Sequence, residues 1–162
     1  MAVTDLIVHR EEVLDDWVDY NGHLNVAYYV LIFDHATDAL FDALGIGADY
    51  ARLTNASTFV LEAHTCYRQE LRRGDPIRVT SQLVGLDAKR LHYFHRMYHD
   101  TDGYLAATQE QLSIHVDLEQ RRSAPFPEDA AETLAEAMAA HARLETPEGL
   151  GARIRAPGAA RT

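Results

Sequence analysis

DYNGHLNVAYYVLIFDHATDALFDALG, Asp19 to Gly45, decides the fold. Its opening is polar: a carboxylate, an imidazole and two carboxamides surround Gly22. From Val26 onward it is apolar and aromatic. Val26, Tyr29, Val30, Phe33, Thr37, Leu40, Phe41 and Leu44 recur at helical spacing and predict one long helix with a wide apolar stripe. Gly45 follows the last of them and suits a left-handed helix end. At the other end, Asn25 or Asn21 can accept from free backbone N–H groups. The polar cluster therefore occupies a turn at a helix N-terminus. Asp19, Asn21 and Asn25 suit capping and turn formation. The same place also suits a reaction site.

Working outward, the flanking segments read as strands. LIVHREEV precedes the cluster. Thr58 to Leu71 alternates, with Phe59, Leu61, Ala63 and Tyr67 on one side and Glu62, His64 and Arg68 on the other. Residues 77–86 and 91–98 are further strands, Asp100 to Gly103 is a hairpin turn, and the last strand runs from Tyr104 to about Val116. A strand, a long helix and four consecutive strands joined by short turns imply an α+β fold: one antiparallel sheet with the helix on one face. An Ala/Glu-rich helix is expected near 128–145. The segment PEGLGARIRAPGAART reads as a loosely ordered tail.

Composition narrows the function. The 162 residues suffice for one domain with a core. A net charge of -10 argues against a general nucleic-acid binder. The single cysteine, Cys66, excludes an intramolecular disulfide framework and fits a reducing compartment; it reads as structural. No run approaches the ~20 apolar residues of a membrane helix, and the first residues lack a signal-peptide profile. A cytoplasmic protein is expected, without membrane or nucleic-acid partners and without a cofactor. No metal is expected either. His92, His95 and His99 would share a helix face, but on a strand His92 and His95 point to opposite sides.

The strand–helix–four-strand order, with D-x-x-G-H-x-N before the long helix, resembles the hotdog-fold acyl-CoA thioesterases of the 4-hydroxybenzoyl-CoA thioesterase-like branch. Asp19, Gly22 and Tyr29 match that pattern, and His23 and Asn25 match close relatives. WVDYNGHLN, FDHATDAL, LEAHT, DAKRLH and IHVD resemble the thioesterase domains associated with carnitine dehydrogenase, which are assigned to betainyl-CoA hydrolysis. The resemblance covers about residues 5–120. It implies a hotdog domain over 1–125; the C-terminal helix and tail over 126–162 lie outside the shared pattern. It also implies a small acyl-CoA substrate and a homodimer or homotetramer with active sites between subunits. Two other classes stay open: an acyl-CoA-binding or interaction module without catalysis, and a hotdog-type enoyl-CoA hydratase.

Thioester hydrolysis needs an attacking or water-activating group and a donor for the oxyanion. Asp19 fits as nucleophile or as general base. The resemblance puts the oxyanion donor one turn past the glycine, at the Val26 N–H. His23 and Asn25 can orient Asp19, the water or the acyl oxygen, and Gly22 lets the backbone approach the thioester. Trp17, Tyr20, Tyr28, Tyr29 and Phe33 lie close in sequence and suggest a partial aromatic cage for a trimethylammonium-bearing acyl group; general packing is the other reading. Asn21 and Glu62 are further candidates for lining the pocket, with His64 on the same strand face and Glu110 nearby; a solvated or subunit-contact face for Glu62 and His64, and an edge carboxylate paired with a cation for Glu110, are the other readings. Arg72 with Arg73, and Lys89 with Arg90, sit in turns that can hold CoA phosphates or simply be solvated.

Overall fold

The computed structural model describes residues 5–158. The order is β1 (Ile7–Glu12), a 3-10 turn (Asp15–Trp17), α1 (Val26–Ala43), α2 (Ala48–Thr54), β2 (Ala56–Tyr67), β3 (Pro76–Leu86), β4 (Arg90–His99), β5 (Leu105–Asp117), β6 (Arg122–Ser123) and α3 (Glu128–His141). The strands form one antiparallel sheet in the order β1-β3-β4-β5-β2, with the short β6 paired to β5. The sheet curls around α1, which is the hotdog architecture the resemblance implies.

The long helix forms where the sequence puts it. Asn25 caps its start: Oδ1 accepts the Ala27 N–H at 3.0 Å. Its far end closes as a Schellman motif. Gly45 adopts φ 72°, its N–H donates to Asp42 O at 3.1 Å, and the Ile46 N–H donates to Phe41 O at 2.9 Å. Ile46 and Phe41 belong to the same apolar cluster, so the last turn is sealed by hydrophobic contact as well. Ile32, Phe33, Ala36 and Leu40 are fully buried against Val79, Leu83, Leu91, Tyr93 and Met97 of the sheet. Val26 and Val30, expected in the buried stripe, stay exposed on the first turns of α1.

Three expectations are corrected. The strand read as 58–71 stops at Tyr67. The N–H groups of Arg68 and Gln69 both donate to Ala106 O, at 2.8 and 3.1 Å, and the chain leaves the ladder. Strict alternation along this strand also fails, because a bulge falls between Val60 and Glu62. Phe59 pairs with Ile114 but Ala63 pairs with Gln111, so these two side chains lie on opposite faces. Finally, α2 was not foreseen. It is a short surface helix that Asn55 ends in the left-handed conformation at φ 53°.

The helix α3 packs into the body of the fold. Leu134 and Ala137 are fully buried in one cluster with Leu40, Leu44 and Leu83. Its last residue finishes the sheet. Pairing of β1 with β3 runs out at Ile7–Ser81, and beyond that point His141 Nδ1 accepts the Leu83 N–H at 2.9 Å. The other ring nitrogen donates to Asp5 O at 3.0 Å. An imidazole thus satisfies a backbone donor that the missing strand would have paired.

Candidate active site

The polar cluster folds as a small hairpin. Val18 bridges to Leu24, Asp19 N–H donates to His23 O at 2.9 Å, and Gly22 N–H donates to Asp19 O at 2.9 Å. Gly22 sits at φ 78°, and a Cβ there would meet nothing within 4 Å. Glycine is needed for the turn rather than for space within this chain. Two contacts lash the hairpin to the segment after β2: Leu24 N–H donates to Leu71 O at 2.7 Å, and His23 bridges to Arg72.

This lashing sets the geometry of a cleft of about 470 Å³. Asp19, His23, Asn25 and Val26 wall it from the α1 side, and Tyr67, Arg68, Gln69 and Glu70 wall it from the end of β2. Asp19 Oδ1 accepts the backbone N–H groups of Asn21, at 2.8 Å, and His23, at 3.2 Å. Oδ2 takes neither bond. Val26 is the first residue of α1, so its N–H has no carbonyl partner within the helix. A carboxylate oxygen and an uncommitted helix N-terminal donor therefore border the same space. Asn25 spends its side-chain oxygen on the cap, leaving its amide NH2 as the group it can offer.

The opposite wall carries both charges, Arg68 and Glu70, beside an aromatic pair. His23 Nε2 lies 3.1 Å from Glu70, and Arg72 lies 2.8 Å from it. Hydrogen bonding by Arg72, helped by the charge of His23, holds the Glu70 carboxyl below its usual range. The Tyr29 hydroxyl accepts the Leu71 N–H at 3.2 Å, and its ring meets Tyr67 edge-on at 5.2 Å. Burial pushes both phenols above their ordinary pKa.

Other candidates fall elsewhere. Trp17 is buried, stacked on Tyr28 at 5.8 Å. Tyr20 is 98% exposed, and Phe33 is fully buried, stacked on His95 at 5.8 Å. Of the five aromatics near Asp19 in sequence, Tyr29 alone lines the cleft, and Tyr67 joins it there from β2. Asn21 is exposed and meets Asp19 through its backbone alone. Arg73 pairs with Asp15 at 3.4 Å. Lys89 and Arg90 lie at the far end of β3 from the cleft, where Arg90 pairs with Asp87 at 2.6 Å and lowers its pKa to about 2. Glu62 shares a separate pocket of about 370 Å³ with His64, His92 and Glu110 on the face of the sheet away from α1. There Glu110 accepts from His92, at 2.7 Å, and from the Gly151 N–H, at 2.7 Å. His95 is on the α1 face, between Ser81 and Thr37, as the strand reading required.

Sequence reasoning missed the wall formed by Tyr67 to Glu70. The alternating pattern continues the strand through them, and it takes the long-range ties of Leu24 to Leu71 and His23 to Arg72 to turn them toward Asp19. The sole local signal was the run of charged and carboxamide residues at the strand end.

Residues 13–134 match the family model described as the thioesterase-like superfamily. The chain is 40% identical over 152 residues to a betainyl-CoA thioesterase of Pseudomonas aeruginosa, covering 94% of this chain and 96% of that protein. It is 41% identical over 143 residues to an L-carnitine dehydrogenase/betainyl-CoA thioesterase of Ruegeria pomeroyi, covering 88% of this chain but 28% of that longer protein. Among solved structures, a hypothetical protein of Staphylococcus aureus in complex with CoA superposes with a TM-score of 0.88 at 30% identity, covering 97% of this chain and 99% of that one.

Proposed function

We propose a function on one premise: the chain belongs to the thioesterase-like superfamily. It is a thioester hydrolase acting on acyl-CoA. The reading here is that its acyl group is small and cationic, with betainyl-CoA as the substrate. The Pseudomonas aeruginosa relative supports this, and so does the character of the cleft. The observation that carries it is the Asp19 carboxylate beside the open N-terminus of α1, facing the Tyr29–Tyr67 pair and Glu70.

In a betainyl thioester the trimethylammonium nitrogen is two bonds from the carbonyl carbon. A site that holds the carbonyl at Asp19 and the Val26 N–H holds the cation beside it. The half-exposed Tyr67 ring can take the methylated nitrogen by cation–π attraction, worth roughly 0.5–2 kcal/mol according to desolvation. The Asp19 carboxylate adds favourable charge, while Glu70 is already paired with His23 and Arg72 and shares its wall with Arg68. Hydrolysis then follows from the groups present. Asp19 Oδ2 attacks the carbonyl or takes a proton from an attacking water, and the Val26 N–H donates to the oxygen as it becomes negative. Collapse of the tetrahedral intermediate expels CoA thiolate; on the nucleophilic route water then cleaves the Asp19 mixed anhydride, releasing the acid and restoring the carboxylate. His23 and Asn25 orient the reacting groups, and Arg72 and Arg73 are the candidates nearest the cleft for CoA phosphates.

The functional unit in this reading is at least a dimer. The edge strand β2 leaves Phe59, Val60, Leu61 and Tyr67 between 48% and 55% exposed, and Val26 and Val30 of α1 are exposed as well. A long apolar edge invites pairing with another copy, and the cleft lies at the end of that edge. Sedimentation velocity at micromolar concentration should give a dimer or tetramer; an active monomer would remove the shared-site arrangement.

The substrate reading is tested by thiol release from betainyl-CoA and from an uncharged branched acyl-CoA of equal size. The parent should prefer the cation. Tyr67→Leu should lose about threefold to thirtyfold in kcat/KM for betainyl-CoA, with little loss for the neutral compound. Equal rates in the parent, or equal losses in the variant, leave a general acyl-CoA thioesterase.

A further inference from the structure

A second cluster lies outside the cleft, where the edge strand β1 meets α1. His9 and Glu11 alternate along β1 with their side chains toward the helix, and His35 projects from α1 onto them. His9 Nε2 is 2.8 Å from Glu11 Oε1, and His35 Nδ1 is 3.1 and 3.2 Å from the two Glu11 oxygens. The three donor atoms lie within 4.8 Å of one another, and all three residues are partly buried. The geometry points to a binding site for a divalent transition metal ion of the zinc class, held by His9, Glu11 and His35.

Two imidazoles and one carboxylate form a donor set suited to zinc, nickel, cobalt or copper and poorly suited to magnesium or calcium. Zinc bonds to nitrogen and oxygen of about 2.0–2.2 Å place tetrahedral donors roughly 3.3 Å apart. Both His–Glu separations are already near that value, and the two imidazole donors lie within 4.8 Å of each other. The donors stand on a strand and a helix rather than on loops, which limits what must be ordered on binding. Trp17 walls one side, its ring 6.3 Å from His35. The local charge also favours a cation. Asp34 and Asp38 flank His35 on α1.

Three protein donors leave a coordination position open, so the ion takes water or a small anion there. Its effect within the fold is to pin the edge strand β1 to α1. Nothing in the proposed hydrolysis runs through this cluster, so failure of one reading leaves the other standing.

The test uses the full chain without a histidine tag, stripped with a chelator and titrated with Zn²⁺ by calorimetry, with thermal unfolding in parallel. The expected result is one ion per chain and a raised Tm. His9→Gln and His35→Gln should each bind at least about tenfold more weakly. His92→Gln, which alters the His–Glu pair on the other face of the sheet, should bind like the parent. Circular dichroism checks that the variants fold. The Co²⁺ absorption spectrum of the parent reports nitrogen ligation without any substitution. No saturable Zn²⁺ binding, a Co²⁺ spectrum without nitrogen ligation, or binding that survives in both folded variants overturns the site.

Discussion

The two ends of α1 are built for opposite purposes. At the C-terminal end the backbone is closed: Gly45 and Ile46 return their N–H groups to Asp42 and Phe41, and Ile46 is packed against the core. At the N-terminal end the helix is capped only in part. Asn25 takes the Ala27 N–H, while Val26 presents its own N–H and an exposed side chain beside Asp19. Helix ends are normally satisfied. A spare N–H and a carboxylate at a helix N-terminus are compatible with ordinary stability, and they are also the pair that the proposed oxyanion chemistry uses.

The same contrast separates two histidines. His23 is half-exposed at the open end, beside the partly exposed Glu70. His95 lies fully buried under the middle of α1 between two hydroxyls. Thr37 Oγ1 donates to Phe33 O at 2.9 Å, so it accepts from His95 Nε2–H at 3.0 Å, and Ser81 Oγ donates to Nδ1 at 2.7 Å. The neutral imidazole satisfies both neighbours, and burial lowers its pKa from 6.5 to about 3.

That difference can be broken by pH. A histidine held neutral in the fold takes up its proton only on unfolding. Its contribution is fully present above about pH 6.5 and is lost progressively as pH falls toward 3, at about 1.4 kcal/mol per unit. Denaturant unfolding of the parent and of His95→Gln should show this as a shallower acid slope in the variant, whose stability at neutral pH is also lower. Parallel slopes between pH 6.5 and 4.5 would mean that His95 is not held neutral.

A smaller effect sharpens the contrast between the ends. Gly45→Ala places a Cβ in the left-handed region at the sealed end, where φ is 72° and space itself is not limiting. The expected loss is about 1–2 kcal/mol of stability, with kcat unchanged per folded molecule. A matching loss of turnover would mean that the sealed end reaches the cleft.

These contrasts explain what the sequence could reveal. The helix, its two ends and the order of strands were legible because each rests on local chemistry: a 3.6-residue stripe, an Asn cap, a Gly stop, a turn at Asp100 to Gly103. Asp19, Gly22, His23 and Asn25 were legible as a group because they fall in one short run, and Val26 followed from the family resemblance. The opposite wall was not. Tyr67 to Glu70 reach the cleft only because β2 ends early and Leu71 and Arg72 are tied to Leu24 and His23. The bulge at Leu61 was likewise invisible, since it adds one residue to a pattern that still alternates on either side. Aromatic residues near Asp19 in sequence suggested a cage, but Trp17 packs on Tyr28 and Phe33 on His95, where burial is worth more.

The central claim is that Asp19 turns the open end of α1 into a thioesterase. It is tested most directly by comparing the parent with Asp19→Asn, following thiol release from betainyl-CoA at saturating substrate. The two side chains are nearly isosteric, and Asn can still accept the N–H groups of Asn21 and His23 through its oxygen. Melting temperature should therefore change little, while kcat falls about 100-fold or more, since an amide is neither nucleophile nor base. A folded Asp19→Asn protein that retains near-normal turnover would contradict the account.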